Sequence, residues 1–171
     1  MKTWIALLRG INVGGKHIVP MKELVRLMEE SGFSNVRTYI QSGNVVFQSL
    51  VKPTDEIGLI IEKNFGFKPD VFILSQEELK TSADNNPYKP AEGKMLHFFY
   101  CDKEPTIDYE FLESLKAESE QYTLVNKVFY LYAPDGIGRS KLAEKMGRAF
   151  KGVSMTARNL NTINKLLEMA E

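Results

Sequence analysis

The sequence predicts an α+β protein made of two ferredoxin-like (split βαβ) halves with mainly antiparallel sheets and an extra C-terminal helix. The first observation is the predicted order of elements over residues 3–74, β-α-β-β-α-β, which is the split βαβ arrangement. The second is that β-α-β-β-α recurs after residue 94 without a visible sequence repeat. The third is an ordinary composition, with 43% apolar and 26% charged residues among 171, which excludes collagen-like, coiled-coil and wholly disordered chains.

The first half begins with an apolar strand at residues 3–8, followed by a glycine-rich loop and a helix. Apolar residues recur at helical spacing between Met21 and Met28, which indicates one buried helix face. Pro20 is expected at the first helical position, which suits its fixed φ, and Gly32 is expected to end the helix. The remaining elements are strands at residues 36–40 and 44–48 joined by a hairpin at residues 41–43, a helix from Thr54 to Gly66, a strand at residues 70–74, and a capping box formed by Ser75 and Glu78.

A polar stretch at residues 81–94 is the predicted linker between a ferredoxin-like half at residues 1–80 and a second α+β half at residues 95–171. The linker contains Pro87 and Pro90, which interrupt regular structure. No final strand is evident before the C-terminal helix. The second half is predicted to contain a strand at residues 95–101, a helix at 107–115, a hairpin turning at Asn126 and Lys127, a helix at 142–150 and a last helix from Asn159.

The charges of the chain cancel overall but are unevenly placed. Lys and Arg number 22, as do Asp and Glu, so the basic excess typical of broad nucleic-acid binding is missing. Residues 102–120 hold seven acidic and two basic residues, a net charge of −5, and residues 135–165 hold seven basic and two acidic residues, a net charge of +5. Three explanations remain open: two solvated helix faces, mutual pairing of the two segments, or a positive surface that attracts an anionic ligand.

The compartment predicted from the sequence is the cytoplasm. Cys101 is the only cysteine, so an intramolecular disulfide is excluded and a reducing environment is favoured. No apolar run approaches the roughly 20 residues that a bilayer requires, and the apolar stretch at residues 3–8 is too short for a secretory signal. We therefore expect neither a membrane span nor export.

The first glycine-rich loop nearly matches the phosphate-binding P-loop. Gly10 is followed by four residues and then by Gly15 and Lys16, but His17 stands where a Ser or Thr hydroxyl would bind Mg²⁺. The predicted helix begins too late to close such a loop, and the hairpin favours an antiparallel sheet. Two interpretations remain: glycines that permit a tight turn, or loop amides that bind a small anion together with Lys16.

A second glycine-containing segment lies at residues 136–141. It resembles the start of a dinucleotide-binding fingerprint, but the third glycine is missing and no βαβ unit surrounds it. Gly138, Arg139, Ser140 and Lys141 are consistent either with an anion site at a helix N-terminus or with a turn followed by an N-cap serine.

Several kinds of active site find no support. His97 and Cys101 are four residues apart on a predicted strand, hence about 13 Å apart and beyond hydrogen-bond reach. No cluster has the spacing of metal ligands, no Ser-His-Asp motif is recognisable, and no cofactor is indicated. The two central strands of the first half also lack the aromatic pattern with which RNA-binding modules of this topology stack bases.

Four blocks of the sequence form a distinctive set. They are LLRGINVGGK at residues 7–16, YIQSGNVVF at residues 39–47, DGIGRSKL at residues 135–142 and TARNLNT at residues 156–162. Together they resemble the signature blocks of a bacterial family, the domain of unknown function 1697. The resemblance implies two ferredoxin-like halves and implies no activity. One departure is Leu160, where family members often have an aromatic residue.

Glycines, amides and basic side chains in three separate segments predict one polar cleft between the halves, which binds a small anionic or phosphorylated, nucleotide-like ligand. The alternatives are a protein-interaction module without catalysis and, second, a nucleic-acid binder. The sequence specifies neither a reaction nor an oligomeric state. The predicted ligand-binding residues are Arg9, Gly10, Asn12, Gly14, Gly15, Lys16, Gly138, Arg139, Ser140, Lys141, Arg158, Asn159 and Asn161.

Overall fold

A computed structural model describes all residues 1–171 of the chain. Contacts divide the chain into two compact units, each with its own four-stranded sheet. Unit 1 comprises Met1–Thr81 and Lys165–Glu171, and unit 2 comprises Ser82–Asn164. The mixed α and β content and the antiparallel sheets confirm the predicted fold class.

Unit 1 has the split βαβ topology that the sequence predicts. Its sheet has the strand order β2-β3-β1-β4, and every neighbouring pair is antiparallel. The strands are β1 (Lys2–Leu8), β2 (Ser34–Tyr39), β3 (Asn44–Ser49) and β4 (Val71–Ser75), and the helices are α1 (Met21–Glu30), α2 (Glu56–Phe65) and α3 (Gln76–Asp84).

Local signals place the ends of these helices well. Pro20 has an extended ψ of 124° and is the N-cap of α1 rather than its first helical residue. Gly66 ends α2 in the left-handed conformation, with φ 83°, where a residue without Cβ is favoured. The predicted capping box is present, because Ser75 Oγ accepts from the Glu78 amide and the Glu78 carboxylate accepts from the Ser75 amide. Helices α1 and α2 bury Leu24, Met28, Ile57 and Ile61 against one face of the sheet.

Unit 2 repeats the topology of unit 1. Its sheet has the order β10-β5-β8-β7, again antiparallel throughout, and a two-stranded sheet pairs β6 with β9. The strands are β5 (Leu96–Cys101), β6 (Thr106–Ile107), β7 (Gln121–Val125), β8 (Val128–Tyr132), β9 (Phe150–Lys151) and β10 (Met155–Asn159), and the helices are α4 (Tyr109–Leu115), α5 (Lys141–Lys145) and α6 (Leu160–Met169).

The expectation that unit 2 lacks a clear final strand is wrong. Strand β10 pairs with β5 and completes the β-α-β-β-α-β order, and α6 starts one residue after Asn159. The inward-facing positions of this strand are occupied by Thr156 and Arg158. Polar residues at the buried positions conceal the alternation of apolar and polar residues by which a half-buried strand is recognised.

The predicted helix at residues 142–150 is shorter than expected. Helix α5 ends at Lys145, and a 3₁₀ segment, Met146–Ala149, continues to β9. Leu142, Met146 and Ala149 are nevertheless buried together, as their spacing predicts. None of the six helices has the length and apolar character needed to cross a membrane.

Candidate functional site

The first glycine loop, residues 9–18, folds into a small hairpin. The Lys16 amide donates to the Val13 carbonyl at 3.1 Å, and the Asn12 amide donates to the His17 carbonyl at 3.0 Å. The two residues between Val13 and Lys16 are Gly14 and Gly15, with φ 59° and 71°. Positive φ at both central positions identifies a type I′ turn, which strongly favours glycine there.

Asn12 fixes this loop to the rest of unit 1. Its side-chain Nδ2 donates to the Val19 carbonyl at 3.0 Å and to the Gln41 carbonyl at 2.7 Å, and its Oδ1 accepts from the Val19 amide at 2.7 Å. The side chain therefore links the start of the loop, its end and the β2–β3 turn. Because its amide is already occupied in this way, Asn12 positions the loop rather than presenting a free group to a ligand.

Two further contacts hold the flanks of the loop. Arg9 Nη1 lies 3.4 Å from the Asp70 carboxylate, and both side chains are more than half exposed. The His17 ring stacks on Phe67 with the ring centroids 4.3 Å apart, and its Nδ1 lies 3.4 Å from the Gly10 carbonyl. The charge of Arg9 is thus partly neutralised in a solvated ion pair, which contributes little to stability.

The tip of the loop keeps its polar groups free. The amides of Gly14 and Gly15 donate to no backbone carbonyl, and a Cβ built on Gly10, Gly14 or Gly15 would meet nothing within 4 Å. Lys16 is exposed and takes part in none of the ion pairs of the chain. The tip therefore offers a cation and two unpaired N–H donors in open space.

The loop is not a P-loop, despite the sequence similarity. Helix α1 begins at Met21, five residues after Lys16, and the sheet is antiparallel. In a P-loop the helix N-terminus follows the lysine directly and takes part in phosphate binding. The glycines here serve the type I′ turn instead.

The second glycine segment, residues 136–141, leads into a helix and supplies its N-cap. Gly136, with φ 105°, precedes the 3₁₀ turn Ile137–Arg139. Ser140 is buried, with 6% of its surface exposed, and its Oγ accepts from the Ala143 amide at 3.0 Å. Ser140 is therefore the N-cap of α5, a helix of only five residues.

The side chains of Arg139 and Lys141 remain available in this segment. Both are exposed, and neither takes part in an ion pair. A Cβ on Gly138 would meet no atom within 4 Å. The acidic residues 102–120 form no ion pair either, so pairing with that stretch does not account for these two cations.

Arg158 lies in a buried polar cluster of unit 2. Its Nη1 donates to Thr156 Oγ1 and to the Ala157 carbonyl, each at 2.8 Å. Burial lowers the pKa of Arg158 to about 10, and the nearby Tyr100 acts in the opposite direction. Tyr100 is itself buried, and its hydroxyl lies 2.8 Å from Ser82 Oγ. Arg158 stays cationic at neutral pH and is only 8% exposed.

Asn159 and Asn161 occupy the start of α6. Asn159 Oδ1 accepts from the Thr162 amide at 3.0 Å, so Asn159 caps the helix. Asn161 packs against Gly93, where a Cβ would lie 2.1 Å from Asn161 Oδ1. A larger residue at position 93 would displace the Asn161 side chain.

Sheet topology brings the predicted residues of unit 2 to one edge. Strands β8 and β10 are both antiparallel to the β5 strand between them. Tyr132, at the end of β8, pairs with Leu96, and Asn159, at the end of β10, pairs with His97. The segments that continue from these ends, residues 133–141 and 159–161, therefore leave the sheet at the same edge. The glycine loop is part of unit 1.

Two residues that the sequence does not single out have unusual conformations or environments in the structure. Ile40, in the β2–β3 turn, has φ 51°, a genuine outlier for a β-branched residue. The Nδ1 atom of His97 is buried without a hydrogen-bond partner, and burial lowers the pKa of His97. No sequence signal identifies either feature, because each depends on the backbone path or on distant neighbours.

The thiol of Cys101 has no catalytic environment. Cys101 is buried at the end of β5, and burial, with a smaller contribution from Asp102, raises the pKa of the thiol to about 11. A reactive cysteine needs the thiolate form near neutral pH. No group of His, Cys, Asp and Glu side chains could hold a metal ion.

A polar depression of about 420 Å³ lies beside the N-terminus of α2 in unit 1. Two of its lining residues are joined by a hydrogen bond, which Lys68 Nζ donates to Asp55 Oδ2 at 2.8 Å. None of the residues predicted from the sequence as ligand contacts lines this depression. Its lining residues are Thr54, Asp55, Gly58, Lys68, Pro69, Asp70 and Val71.

The fold and the loop define a class: an α+β protein of two ferredoxin-like units, one of which carries an exposed, cation-tipped glycine hairpin. The chain belongs to the family described as "Protein of unknown function (DUF1697)", whose sequence model matches residues 1–130. The family predicted from the four sequence blocks is therefore confirmed.

Two individual proteins are similar to the chain. The fold resembles that of the conserved bacterial protein SP0830 from Streptococcus pneumoniae, with a TM-score of 0.72, 24% identity and 99% of each chain covered. A stretch of 103 residues is 30% identical to the chromosomal replication initiator protein DnaA of Campylobacter curvus (strain 525.92). The alignment covers 56% of the chain but 23% of the initiator, so the chain spans about a quarter of that curated relative.

Proposed function

We propose that this protein binds a small anionic ligand, of the phosphorylated, nucleotide-like kind, at the glycine loop. The observation that carries the proposal is the loop tip, where Lys16 has no carboxylate partner and the Gly14 and Gly15 amides have no acceptor. Backbone N–H groups and a lysine ammonium are ordinary phosphate ligands. Asn12 contributes by holding the loop in place, so that little conformational entropy is lost on binding.

Residues of unit 2 belong to the same proposal. Arg139 and Lys141 are exposed cations without ion-pair partners, and an arginine fork suits phosphate or carboxylate. We propose that these two side chains contribute anion contacts in unit 2. The protein acts in the cytoplasm in this proposal, and binding, not a reaction, is the function proposed.

Calorimetric titration with pyrophosphate tests the loop. Lys16→Ala should weaken binding by about tenfold, since a hydrogen bond to a charged group is worth about 1.5 kcal/mol. Lys52→Ala is the matched control, because Lys52 is also exposed in unit 1 but lies outside the loop, and it should leave the affinity unchanged. Equal effects of the two substitutions would contradict a site at the loop.

Arg139→Ala tests the contribution of unit 2. A lower affinity for pyrophosphate in this variant is the expected result. An unchanged affinity in Arg139→Ala would remove Arg139 from the proposal.

Nucleic-acid binding is the outcome most different from this proposal. The similarity to the replication initiator motivates a control with duplex DNA, and Lys141, Lys145 and Arg148 are exposed. DNA binding that falls steeply with salt, without any binding of pyrophosphate, would replace the proposal. No binding of either probe would favour a protein-interaction module.

A further inference from the structure

Three large apolar side chains are exposed close to the glycine loop. Val13 is 65% exposed, Ile18 53% and Ile40 52%. Each is a chain neighbour of a residue in the hydrogen-bond system of the Asn12 side chain: Val13 of Asn12 itself, Ile18 of Val19 and Ile40 of Gln41. Since consecutive Cα atoms are about 3.8 Å apart, the three side chains start from backbone positions clustered around one amide group.

Ile40 carries a conformational cost that its own packing does not explain. The other non-glycine residues with positive φ are Asn12, His17, Asn35 and Asn126, which belong to the types that tolerate this region. A β-branched residue there is strained. Because half of the Ile40 side chain is exposed, burial of this side chain offers only partial compensation.

The surroundings of this apolar cluster indicate what covers it. Lys16 and the free amides of Gly14 and Gly15 lie in the same hairpin as Val13 and Ile18. On the flank of the hairpin, the Asp70 carboxylate is paired with Arg9. Met1, Leu50 and Val51 are also exposed, but they lie at the other end of β1 and β3, away from this hairpin.

We propose that the ligand of the glycine loop is a small amphiphilic anion, in which a phosphate or carboxylate group is joined to an apolar or aromatic ring. The anionic group contacts Lys16 and the glycine amides, and the ring lies on Val13, Ile18 and Ile40. This inference rests on the proposed function, to which it adds the chemical class of the ligand. Three aliphatic side chains can cover one ring. Protein surfaces that bind a lipid bilayer are broader and are rich in Trp and Phe, which this cluster does not contain.

The test compares inorganic phosphate with phenyl phosphate by calorimetry at equal pH and salt. In the native sequence phenyl phosphate should bind about tenfold more tightly, as expected for burial of about 60 Å² of apolar surface. In Ile40→Asn this preference should fall by at least about threefold, while binding of inorganic phosphate stays unchanged. Leu59→Asn is the control, since Leu59 is 47% exposed on α2, and it should keep the full preference.

A thermal measurement accompanies this test. Ile40→Asn should raise the Tm, because Asn tolerates the left-handed conformation better than Ile. A higher Tm together with a lost preference for phenyl phosphate is the signature of a strained residue retained for binding. A lower Tm would show that Ile40 supports the fold, and it would overturn the role assigned to this side chain.

The remaining outcomes separate the two proposals. If inorganic phosphate binds in a Lys16-dependent way but phenyl phosphate gains nothing, the amphiphilic ligand is wrong and the anion site stands. If neither compound binds, both are wrong. If the protein instead sediments with phosphatidylglycerol vesicles and Ile40→Asn abolishes this, the cluster contacts lipid, and the small-ligand assignment is overturned.

Discussion

The two glycine segments look alike in the sequence and differ in the structure. Both combine closely spaced glycines with basic residues, and both partly match nucleotide-binding fingerprints. In unit 1 the glycines form a type I′ turn that leaves its amides and Lys16 free. In unit 2 the glycines lead into a 3₁₀ turn, and Ser140 is buried as a helix cap.

The difference follows from what each segment precedes. The segment of unit 2 enters α5 directly, so its hydroxyl is needed to cap a short helix. The segment of unit 1 closes on itself through the Val13–Lys16 bridge before α1 begins. A glycine-rich motif is thus informative about binding only when the backbone donors near it are not used by the following helix.

The largest expected effect concerns Gly43, which lies beneath the loop of unit 1. Gly43 has φ 94°, and a Cβ there would lie 2.8 Å from Leu8 Cβ and 3.0 Å from Ile11 Cδ1. Gly43→Val combines left-handed strain with overpacking, so the free energy of unfolding should fall by about 3 kcal/mol. Urea denaturation measures this loss.

The corresponding substitution in unit 2 is the control. Gly136 has φ 105° but no neighbouring atom within 4 Å of a built Cβ, so Gly136→Val should cost only the strain, about 1–2 kcal/mol. Equal losses for the two variants would show that close packing beneath the loop of unit 1 contributes nothing.

The second effect concerns the side chain that anchors the loop. Asn12→Ala removes four hydrogen bonds and leaves the Val19 amide without an acceptor, so the free energy of unfolding should fall by about 2 kcal/mol. Asn64→Ala is the matched control, since Asn64 makes one exposed bond to its own helix, and it should change stability little. A thermal melt that responds equally to both substitutions would argue against Asn12 as the anchor.

Local signals in the sequence predicted much of this fold. The hairpin at residues 41–43, the turn at Asn126, the end of α2 at Gly66 and the Ser75–Glu78 capping box all appear where expected. Each depends on a few consecutive residues, for which glycine, asparagine or serine has a specific backbone role. The element order then specified the split βαβ topology.

Features that depend on distant residues were not predictable. Strand β10 pairs with a strand more than 50 residues earlier, and its buried positions are polar. The position of Asn12 in the glycine-rich block favoured a ligand contact, but its partner Gln41 lies 29 residues away. The strain at Ile40 is a property of the backbone path, which composition and periodicity do not report.

The third effect concerns Ser140, the N-cap of α5 in unit 2. Ser140→Ala removes the cap of α5 and should destabilise the protein by about 1 kcal/mol. Ser140→Asp keeps a capping oxygen and should restore most of that stability. If residues 138–141 contact an anionic ligand, the added carboxylate should also weaken pyrophosphate binding, which calorimetry measures. Unchanged affinity in Ser140→Asp would exclude this segment from the site.

The smallest effect is a pH dependence that arises at His97, near the start of the inner strand β5 of unit 2. Burial lowers the pKa of His97 below its ordinary value near 6.5, and its Nδ1 has no hydrogen-bond partner. The unfolded chain therefore takes up a proton at a higher pH than the folded protein does. The contribution of His97 to the free energy of unfolding is fully present above about pH 6.5, and it is lost as the pH falls through the lowered pKa.

His97→Phe should flatten the fall in unfolding free energy between about pH 7 and pH 5. His97→Gln, which cannot be protonated either, should flatten it equally, so that titration is separated from packing. A slope that persists in both variants would mean that other groups cause the pH dependence and that His97 is already accommodated in its charged form.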